Sequence, residues 1–334
     1  MATNYLYGTI LTGEAVAANN RGDNVGNTTT LQKIFHQDDV HTSVSAEAIR
    51  FALRYRFQLE GMKTNRTYNP ATARVKYVDD KWTDWTPEGD VFIDDDLMGF
   101  MNAAAAAKEA EEQEEGAAEG GEGKPAKGRG KKKGAAYKRP SPLAVGRAVS
   151  LRPYRGEYSY NSTVRKDEGG KAAGLSLYNA EMHTTEYQYS FGLNLNEVIN
   201  KENIRHLLNA VLDPPPVAGN HARFAYDFSP ASIVLRVTQE HSSKIQNCFE
   251  HDDETRGFNV KRLVKRVEDE DIPAAELYVG GEVARTEEGA RLKELGVNIY
   301  PGVRKAAQAA RAAIAGLNAD LKVVSPDGAT GNGG

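Results

Sequence analysis

The first sixty residues combine a strand pattern, a polar loop and a capped helix, and this combination limits the fold most. Residues Tyr5 to Thr12 are rich in aromatic and β-branched side chains, which favours a β-strand. A polar loop follows from Gly13 to Asn27, with Asn19, Asn20 and Arg21 near its centre. Free backbone N–H groups in such a loop, together with the positive end of a following helix, suit a phosphate-bearing polymer.

The helix after this loop is predicted from its caps and from its apolar period. Ser43 and Ser45 can each cap it, and Glu47 lies in the first turn, where negative charge favours the helix dipole. Five apolar residues gather on one side at helical spacing: Ala48, Ile49, Ala52, Leu53 and Leu59. Arg50 and Arg54 lie one turn apart on the other side, where they either contact phosphate or form an ordinary solvated face that pairs with Glu47.

Composition excludes several classes of protein. The chain has 334 residues, of which 40% are hydrophobic and 26% charged, and its formal charge of -4 argues against indiscriminate coating of nucleic acid. The single cysteine, Cys248, excludes an internal disulfide and indicates a packed thiol in a reducing compartment. Residues Met1 to Tyr7 lack the pattern of a signal peptide, and no apolar run reaches the length of a bilayer span. We therefore expect a cytoplasmic protein that does not contact membranes.

Residues 102–139 differ in composition from the rest of the chain. An alanine-rich start is followed by an acidic half and then by a basic, glycine-rich half. The acidic half contains Glu109, Glu111, Glu112, Glu114, Glu115, Glu119 and Glu122, and the basic half contains Lys124, Lys127, Arg129, Lys131, Lys132, Lys133, Lys138 and Arg139. Because the tract has almost no apolar side chains, we expect a flexible insertion, which is either a solvated spacer or a finger whose basic half lies along nucleic-acid phosphates.

The remaining patterns indicate a mixed α and β chain. Residues 74–78 alternate and precede a turn at Asp79 and Asp80, which predicts a hairpin or two edge strands. Further strands are predicted at 187–195, 223–228, 233–238 and 277–279, and further helices at 196–212, 286–295 and 303–319. This order is compatible with an α+β fold in which helices back a ferredoxin-like sheet, the split βαβ arrangement that RNA-recognition domains also use.

Four segments resemble one known family. The segment from Gly13 to Arg54, with the run from Ser45 to Arg54, resembles the opening of the backbone subunit of type I CRISPR surveillance complexes, in the DevR branch associated with type I-B systems. The string Asp94 to Met101 is similar to an acidic, Leu, aromatic-or-Met, Gly, aromatic, Met string of that branch. The segments 139–151 and 223–236 continue the similarity in the same order.

This resemblance implies an architecture. Members have a modified RNA-recognition fold shaped like a hand, so residues 1–60 and 183–325 are expected to form the palm. Residues 61–182 would then be a finger insertion that includes the tract at 102–139, and residues 326–334 a flexible tail. A thumb hairpin that wedges between RNA bases is expected either at 213–222 or within 240–272.

The resemblance also implies a function without catalysis or cofactors. Copies of the chain are expected to form a filament along one CRISPR RNA and to leave its bases free to pair with target DNA. The other expected partners are the five-type cap, the large subunit, the small subunit and the six-type RNA processing subunit. The matching RNA-binding positions are Asn19, Asn20, Arg21, Ser45, Arg50 and Arg54. Charge and neighbourhood add Lys33, His36, Arg66, Arg147 and Arg152.

Two other classes of function stay open at this stage. Related backbone subunits of type III complexes cut RNA with a loop aspartate, and Asp38 and Asp39 lie here between His36 and His41, where the four could bind a divalent ion. A turn or cap role for these aspartates is the alternative. The triple aspartate 94–96 is expected to serve structure or subunit contact. The remaining class is a protein-interaction module that binds no nucleic acid.

Overall fold

A computed structural model describes residues 4–18, 24–36, 38–82, 91–101, 138–166, 169–170, 172–217 and 226–322. Its helices are α1 (Ala46–Leu59), α2 (Ile93–Met98), α3 (Asn203–Leu212), α4 (Lys261–Glu268), α5 (Glu287–Glu294) and α6 (Val303–Lys322). Short 3-10 turns occur at Ala274–Glu276 and Glu282–Arg285. Within these ranges no helix combines the length and apolar composition that crossing a membrane requires.

The strands vary in length: among the described residues, five have eight residues or more and the others have six or fewer. They are β1 (Tyr5–Thr12), β2 (Ala15–Ala18), β3 (Asn24–Val25), β4 (Thr28–Thr29), β5 (Lys33–His36), β6 (Asp39–Val44), β7 (Arg66–Asn69), β8 (Arg74–Tyr77), β9 (Phe100–Met101), β10 (Lys138–Arg139), β11 (Leu143–Val145), β12 (Ala148–Ser150), β13 (Glu157–Lys166), β14 (Ala172–Thr185), β15 (Tyr187–Asn194), β16 (Pro230–Thr238), β17 (Glu250–Asp252), β18 (Gly257–Asn259), β19 (Leu277–Gly281) and β20 (Asn298–Tyr300).

The central sheet organises the molecule. Its order is β20-β19-β16-β1-β15-β12-β6-β5, and β11 also pairs with β15. Strand β1 lies antiparallel between β15 and β16, with Gly8 opposite both Phe191 and Leu235. A Cβ atom at Gly8 would lie 2.3 Å from the ring of Phe191, so glycine is required for this close approach.

Hydrophobic cores cover both faces of this sheet. Alternate residues of β1 and β16 point to opposite faces: Leu6 and Ile233 belong to one core, whereas Leu11 and Val234 belong to the other. Helices α1, α3 and α6 supply the first core, and α4 and α5 supply the second. The result is an α+β arrangement of three layers, whereas the order of patterns predicts a sheet backed by two helices.

A second sheet projects from the long hairpin of β13 and β14. Strands β2 and β4 each pair with β14, and β3 pairs with β4. The continuous loop predicted from Gly13 to Asn27 is therefore wrong in part, since Ala15–Ala18 and Asn24–Val25 form strands. The free edge of β14 offers unpaired backbone groups, and these short segments satisfy them.

The structure also revises the predicted insertion between residues 61 and 182. Residues 143–150 return to the central sheet as β11 and β12, so this range does not form one continuous finger. Strand β8 pairs with the preceding β7 rather than with residues after the turn at 79–80. The tract at 102–137, the tail after residue 322 and part of the first thumb candidate lie outside the described residues. The second thumb candidate contains the β17–β18 hairpin.

Most of the other predicted strands and helices are confirmed, but two differ from the structure. Strands at 5–12, 187–195, 233–238 and 277–279 are confirmed, as are the two C-terminal helices. The helix predicted from Asn196 begins only at Asn203, because the Asn196 side chain accepts a hydrogen bond from the backbone N–H of Asn4 (2.7 Å) instead of capping a helix. In the predicted strand at 223–228, the described residues 226–228 are irregular.

Candidate nucleic-acid interface

The start of α1 is capped by the serine that lies directly before it. Ser45 is extended (φ -67°, ψ 150°), and its Oγ accepts a hydrogen bond from the N–H of Ala48 at 3.2 Å. The other predicted cap, Ser43, is buried inside β6. The exposed Arg147 donates to Ser43 Oγ and to Gln32 Oε1, both at 3.2 Å, which places its guanidinium beside the start of α1.

The edge strand β5 carries two of the predicted RNA-binding residues. Lys33 Nζ lies 2.5 Å from Glu181 Oε2 and 5.0 Å from the centre of the Tyr154 ring. His36 packs edge-on against His41, with ring centres 5.4 Å apart. Because β5 is the last strand of the central sheet, one side of its backbone is unpaired.

The predicted binding loop leaves the described structure beside Lys33. Ala18, the last described residue before the loop, pairs with Met182, which adjoins Glu181, the partner of Lys33. Asn19, Asn20 and Arg21 themselves lie outside the described residues. The root of the loop, Lys33, Arg147 and the capped start of α1 thus lie around the β5–β6 edge, with Lys33 opposite Thr42 on one face and Arg147 on Ser43 at the other.

Arg152 lies at the far end of β12 and is already paired. Its guanidinium contacts the carboxylates of Glu14 and Glu186, the latter at 3.2 Å, and donates to the carbonyl of Arg256 at 3.0 Å. Burial raises the pKa of Glu186, and the guanidinium of Arg152 opposes that shift. The prediction of Arg152 as a phosphate contact is therefore disfavoured, because two carboxylates already use its charge.

The histidines and aspartates of the metal hypothesis do not converge. Asp38 has a φ of 67° in the turn between β5 and β6, and Asp39 lies opposite His36 in the hairpin. His41 turns inward, with Nδ1 2.7 Å from the carbonyl oxygen of Ser150. No three potential metal ligands come together among the described residues. The turn role is the one that the geometry supports.

The arginine face of α1 is covered by other parts of the chain. Arg50 donates to the carbonyl oxygens of Leu143 and Met98, both at 2.9 Å. The Arg54 side chain is only 17% exposed, and its Nε lies 3.4 Å from Asp94 Oδ2. Burial lowers the pKa of Arg54 to about 10. The prediction that Arg50 and Arg54 form a free, phosphate-facing surface is wrong, because this face packs against α2 and the segment before β11.

The opposite face of α1 largely follows the prediction. Ile49, Ala52 and Leu53 are buried. Leu59 is instead 57% exposed, and Phe57 takes the last buried position on the helix. The helix ends at Leu59, so this side chain extends beyond the sheet that covers the earlier turns.

The partner of the arginine face is the acidic helix α2. Its three aspartates, Asp94, Asp95 and Asp96, are fully buried. Asp94 accepts hydrogen bonds from the backbone N–H groups of Asn65 (2.7 Å) and Arg66 (3.1 Å). Since burial of an unpaired carboxylate is strongly unfavourable, these contacts are a condition for the helix to lie inside the protein.

Asp95 holds the β7 side of the junction. It accepts from Arg66 at 2.7 Å, and from the Asn65 side chain and Trp82 Nε1 at 2.8 Å each. Burial and the neighbouring carboxylate of Asp94 raise the pKa of Asp95 to about 6, although these three donors oppose the shift. The prediction of Arg66 as an RNA contact is thus corrected, since its guanidinium binds Asp95 and the carbonyl of Gly99.

Asp96 holds the α3 side of the same junction. Its Oδ1 accepts from Arg139 and from the backbone N–H of Ile199, both at 2.9 Å. Its Oδ2 accepts from the N–H of Asn200 (3.1 Å) and from the side chain of Asn203 (2.8 Å). The structural role expected for the triple aspartate is therefore observed, whereas its pairing with Arg54, Arg66 and Arg139 is not evident from the sequence.

The comparisons with known proteins agree with this architecture. Residues 10–269 match the family described as CRISPR-associated negative auto-regulator DevR/Csa2. The CRISPR-associated protein Cas7/Cst2/DevR of Myxococcus xanthus (strain DK1622) is 36% identical over 313 residues, which span 92% of this chain and 96% of that protein.

Two solved structures share the fold at low sequence identity. One is titled CRISPR RNA-guided surveillance complex, with a TM-score of 0.53, 12% identity, and coverage of 93% of this chain and 99% of that one. The other is titled CRISPR RNA-guided surveillance complex, pre-nicking, with a TM-score of 0.52, 12% identity, and coverage of 92% and 100%. The predicted α+β, modified RNA-recognition fold is confirmed. The sequence match over most of its length makes this chain a member of the DevR/Csa2 family of CRISPR-associated proteins.

Proposed function

We propose that this chain binds CRISPR RNA as the repeating backbone subunit of a type I, I-B-like surveillance complex. Copies would lie along one guide, together with the cap, large, small and RNA processing subunits, and would leave its bases free to pair with target DNA. The observation that carries the proposal is that the loop root at Ala18, Lys33, Arg147 and the capped start of α1 all lie around the β5–β6 edge of the central sheet.

The chemistry of this edge suits a ligand whose sequence varies. A subunit that accepts any guide has to use phosphate and sugar contacts, since base contacts would restrict the sequence. Arg147 supplies most of the charge, because Lys33 is already paired with one carboxylate, that of Glu181, and the start of α1 supplies the positive end of a helix dipole. With a formal charge of -4 for the whole chain, binding depends on this local group of cations.

The proposal is tested with Arg147→Ala and Lys33→Gln in a fluorescence anisotropy titration against two guide-length RNAs of unrelated sequence. Arg147→Ala should weaken binding by about 1 kcal/mol, roughly fivefold, and Lys33→Gln should weaken it less because Glu181 already pairs with Lys33; each effect should be equal for both RNAs. Arg147→Ala should also reduce the slope of log affinity against log salt by about 0.7, the value for one contact to a single strand.

The matched control is Arg291→Ala. Arg291 is an exposed arginine of α5 that pairs with Glu268 and Glu294, on the other face of the central sheet and outside both thumb candidates. Arg291→Ala should leave RNA affinity unchanged. The proposal fails if neither Arg147→Ala nor Lys33→Gln weakens binding, or if their effects differ between the two RNAs.

We propose further that the subunit holds RNA without cutting it. The structural roles of Asp38 and Asp39 in the β5–β6 turn, and of His41 against the carbonyl oxygen of Ser150, support this. A labelled RNA complementary to the bound guide should stay intact in Mg²⁺ or Mn²⁺. Cleavage that disappears in Asp38→Ala or Asp39→Ala would establish the nuclease alternative instead.

A further inference from the structure

A groove between α3 and α6 collects three arginines, and we call it the arginine groove. Arg205 of α3 and Arg304 and Arg311 of α6 line a cleft of about 260 Å³, with Gln308 on the same wall of α6. None of these residues belongs to the proposed RNA-binding edge. The groove therefore requires its own explanation.

The charge in the groove is only partly balanced. Glu202 contacts Arg205 and lies 3.8 Å from Arg311, so one carboxylate serves two guanidiniums. Arg304 is exposed and lines the same cleft. No other carboxylate lines it among the described residues. Three arginines against one glutamate leave two positive charges, and guanidinium groups favour carboxylate ligands because they can donate two parallel hydrogen bonds.

We propose that the arginine groove binds the acidic stretch Glu109–Glu122 of the same chain. This stretch contains seven glutamates and no basic residue, so its charge is complementary to that of the groove. The proposal does not depend on RNA binding. It concerns a different surface and a different ligand from the function proposed above.

The connection of the chain makes this contact reachable. The tract leaves at Met101 and returns at Lys138, which pair in the β9–β10 ladder. The adjoining Asp96 binds Asn203 in the first turn of α3, the same turn that carries Arg205. Asn203 and Arg205 lie on opposite sides of α3, so the groove is separated from the Asp96 contact by about the diameter of one helix, roughly 10 Å, and Met101 follows Asp96 by five residues. Residues 102–108 can span up to about 23 Å when extended.

Attachment to the same chain also favours this ligand over a free one. A segment joined by a short linker has an effective local concentration in the millimolar range, so weak ion pairs suffice for docking. Docking of the acidic half would also separate it from the basic residues 124–133, which would otherwise attract it. Those lysines would then be available to other anions.

Disulfide trapping in the full chain tests the proposal. In Ala117→Cys/Gln308→Cys, one thiol lies in the acidic stretch and the other on the wall of the groove. The native Cys248 does not interfere, since it is buried and burial raises the pKa of its thiol to about 12. The control pair is Ala117→Cys/Lys76→Cys, because Lys76 is exposed on β8 beside α2.

We expect the groove pair to form an intramolecular disulfide at least tenfold faster than the control pair under mild oxidation. The additional changes Arg205→Glu/Arg304→Glu, or 0.5 M salt, should reduce its rate to that of the control pair. Circular dichroism melting verifies that the charge-reversed protein folds, and the salt arm tests the same contact without any substitution in the groove.

Three results would overturn the proposal. Equal rates for the two pairs would show that the acidic stretch does not prefer the groove. Disulfides only between chains would assign the contact to a second copy. A loss of RNA affinity in Arg205→Glu/Arg304→Glu, together with equal trapping rates for the two pairs when the groove arginines are intact, would identify the groove as a nucleic-acid surface. Failure of the Arg147→Ala test would leave the trapping result unaffected.

Discussion

Replacing Asp96 with alanine should destabilise the protein more than most single substitutions in its folded core. The side chain is fully buried and accepts four hydrogen bonds, from Arg139, Ile199, Asn200 and Asn203. In Asp96→Ala the two backbone N–H groups and the Asn203 amide lose this acceptor. Arg139 keeps its contacts with the carbonyl oxygens of residues 96 and 197 but loses its carboxylate partner.

The magnitude follows from these four contacts. A buried donor left without an acceptor costs about 1–3 kcal/mol, and breaking a buried ion pair by removing one partner costs about 3–5 kcal/mol. The terms do not add, because they share one carboxylate. We therefore expect a loss of about 4 kcal/mol for Asp96→Ala. Asp96→Asn should lose about 2 kcal/mol, since one acceptor oxygen remains but an NH₂ group faces the other donors.

Equilibrium urea unfolding measures this loss. Tryptophan fluorescence is a suitable signal, because Trp82 donates to Asp95 and stacks on Phe100 with ring centres 4.9 Å apart. The control is Asp253→Ala, since the Asp253 side chain is 99% exposed and should change stability by less than about 0.5 kcal/mol. A loss below about 1 kcal/mol for Asp96→Ala would refute the view that α2 is a stabilising junction.

Three further predictions concern pH, a turn and a cap. Burial lowers the pKa of His183 to about 4, below its unfolded value of 6.5, so the unfolded state binds more protons between these values. His183 should therefore contribute a fall in stability of about 2 kcal/mol from pH 7 to pH 5, measured as the difference between wild type and His183→Asn in urea titrations, whereas the exposed His241→Gln should keep the pH dependence of wild type. Gly99→Ala should lower the free energy of unfolding by about 2 kcal/mol or more, because φ is 64° and the new Cβ would lie 2.3 Å from the carbonyl oxygen of Arg139. A melting temperature equal to that of wild type would contradict this. Ser45→Ala should lower the free energy of unfolding by about 1 kcal/mol in the same urea assay, because α1 loses its cap. An unchanged urea midpoint would mean that the cap does not contribute to stability.

The parts of the fold that follow from local pattern were predictable. Strand β15 alternates buried and less buried residues, and the inner face of α1 has helical spacing, so each pattern carries its own periodicity. The strands in the predicted loop at 13–27 were not predictable in the same way. They exist because the edge of β14 is free, and β14 lies about 150 residues later in the chain.

The roles of the arginines at the candidate site also depend on contacts between residues distant in sequence. Arg54 and Arg66 looked like surface cations because nothing near them in sequence would neutralise them. Their carboxylates come from residues 94 and 95, some 30 to 40 positions away, and only the folded chain brings them together. The sequence around Arg147 and Lys33 indicates a ligand contact no more strongly than that around Arg54 and Arg66, yet Arg147 and Lys33 lie at the open edge beside the start of α1. Charge alone does not separate an internal anchor from a ligand contact.

The pairing of Met101 with Lys138 suggests a practical use of this chain. Opposite residues in an antiparallel ladder lie about 5 Å apart, so the ends of the segment between them meet at one point on the surface. A fluorescent protein or affinity module whose own termini are close could replace residues 103–136 while the flanking ladder remains intact. Such a fusion would report the position of each copy in an assembly without extending either terminus.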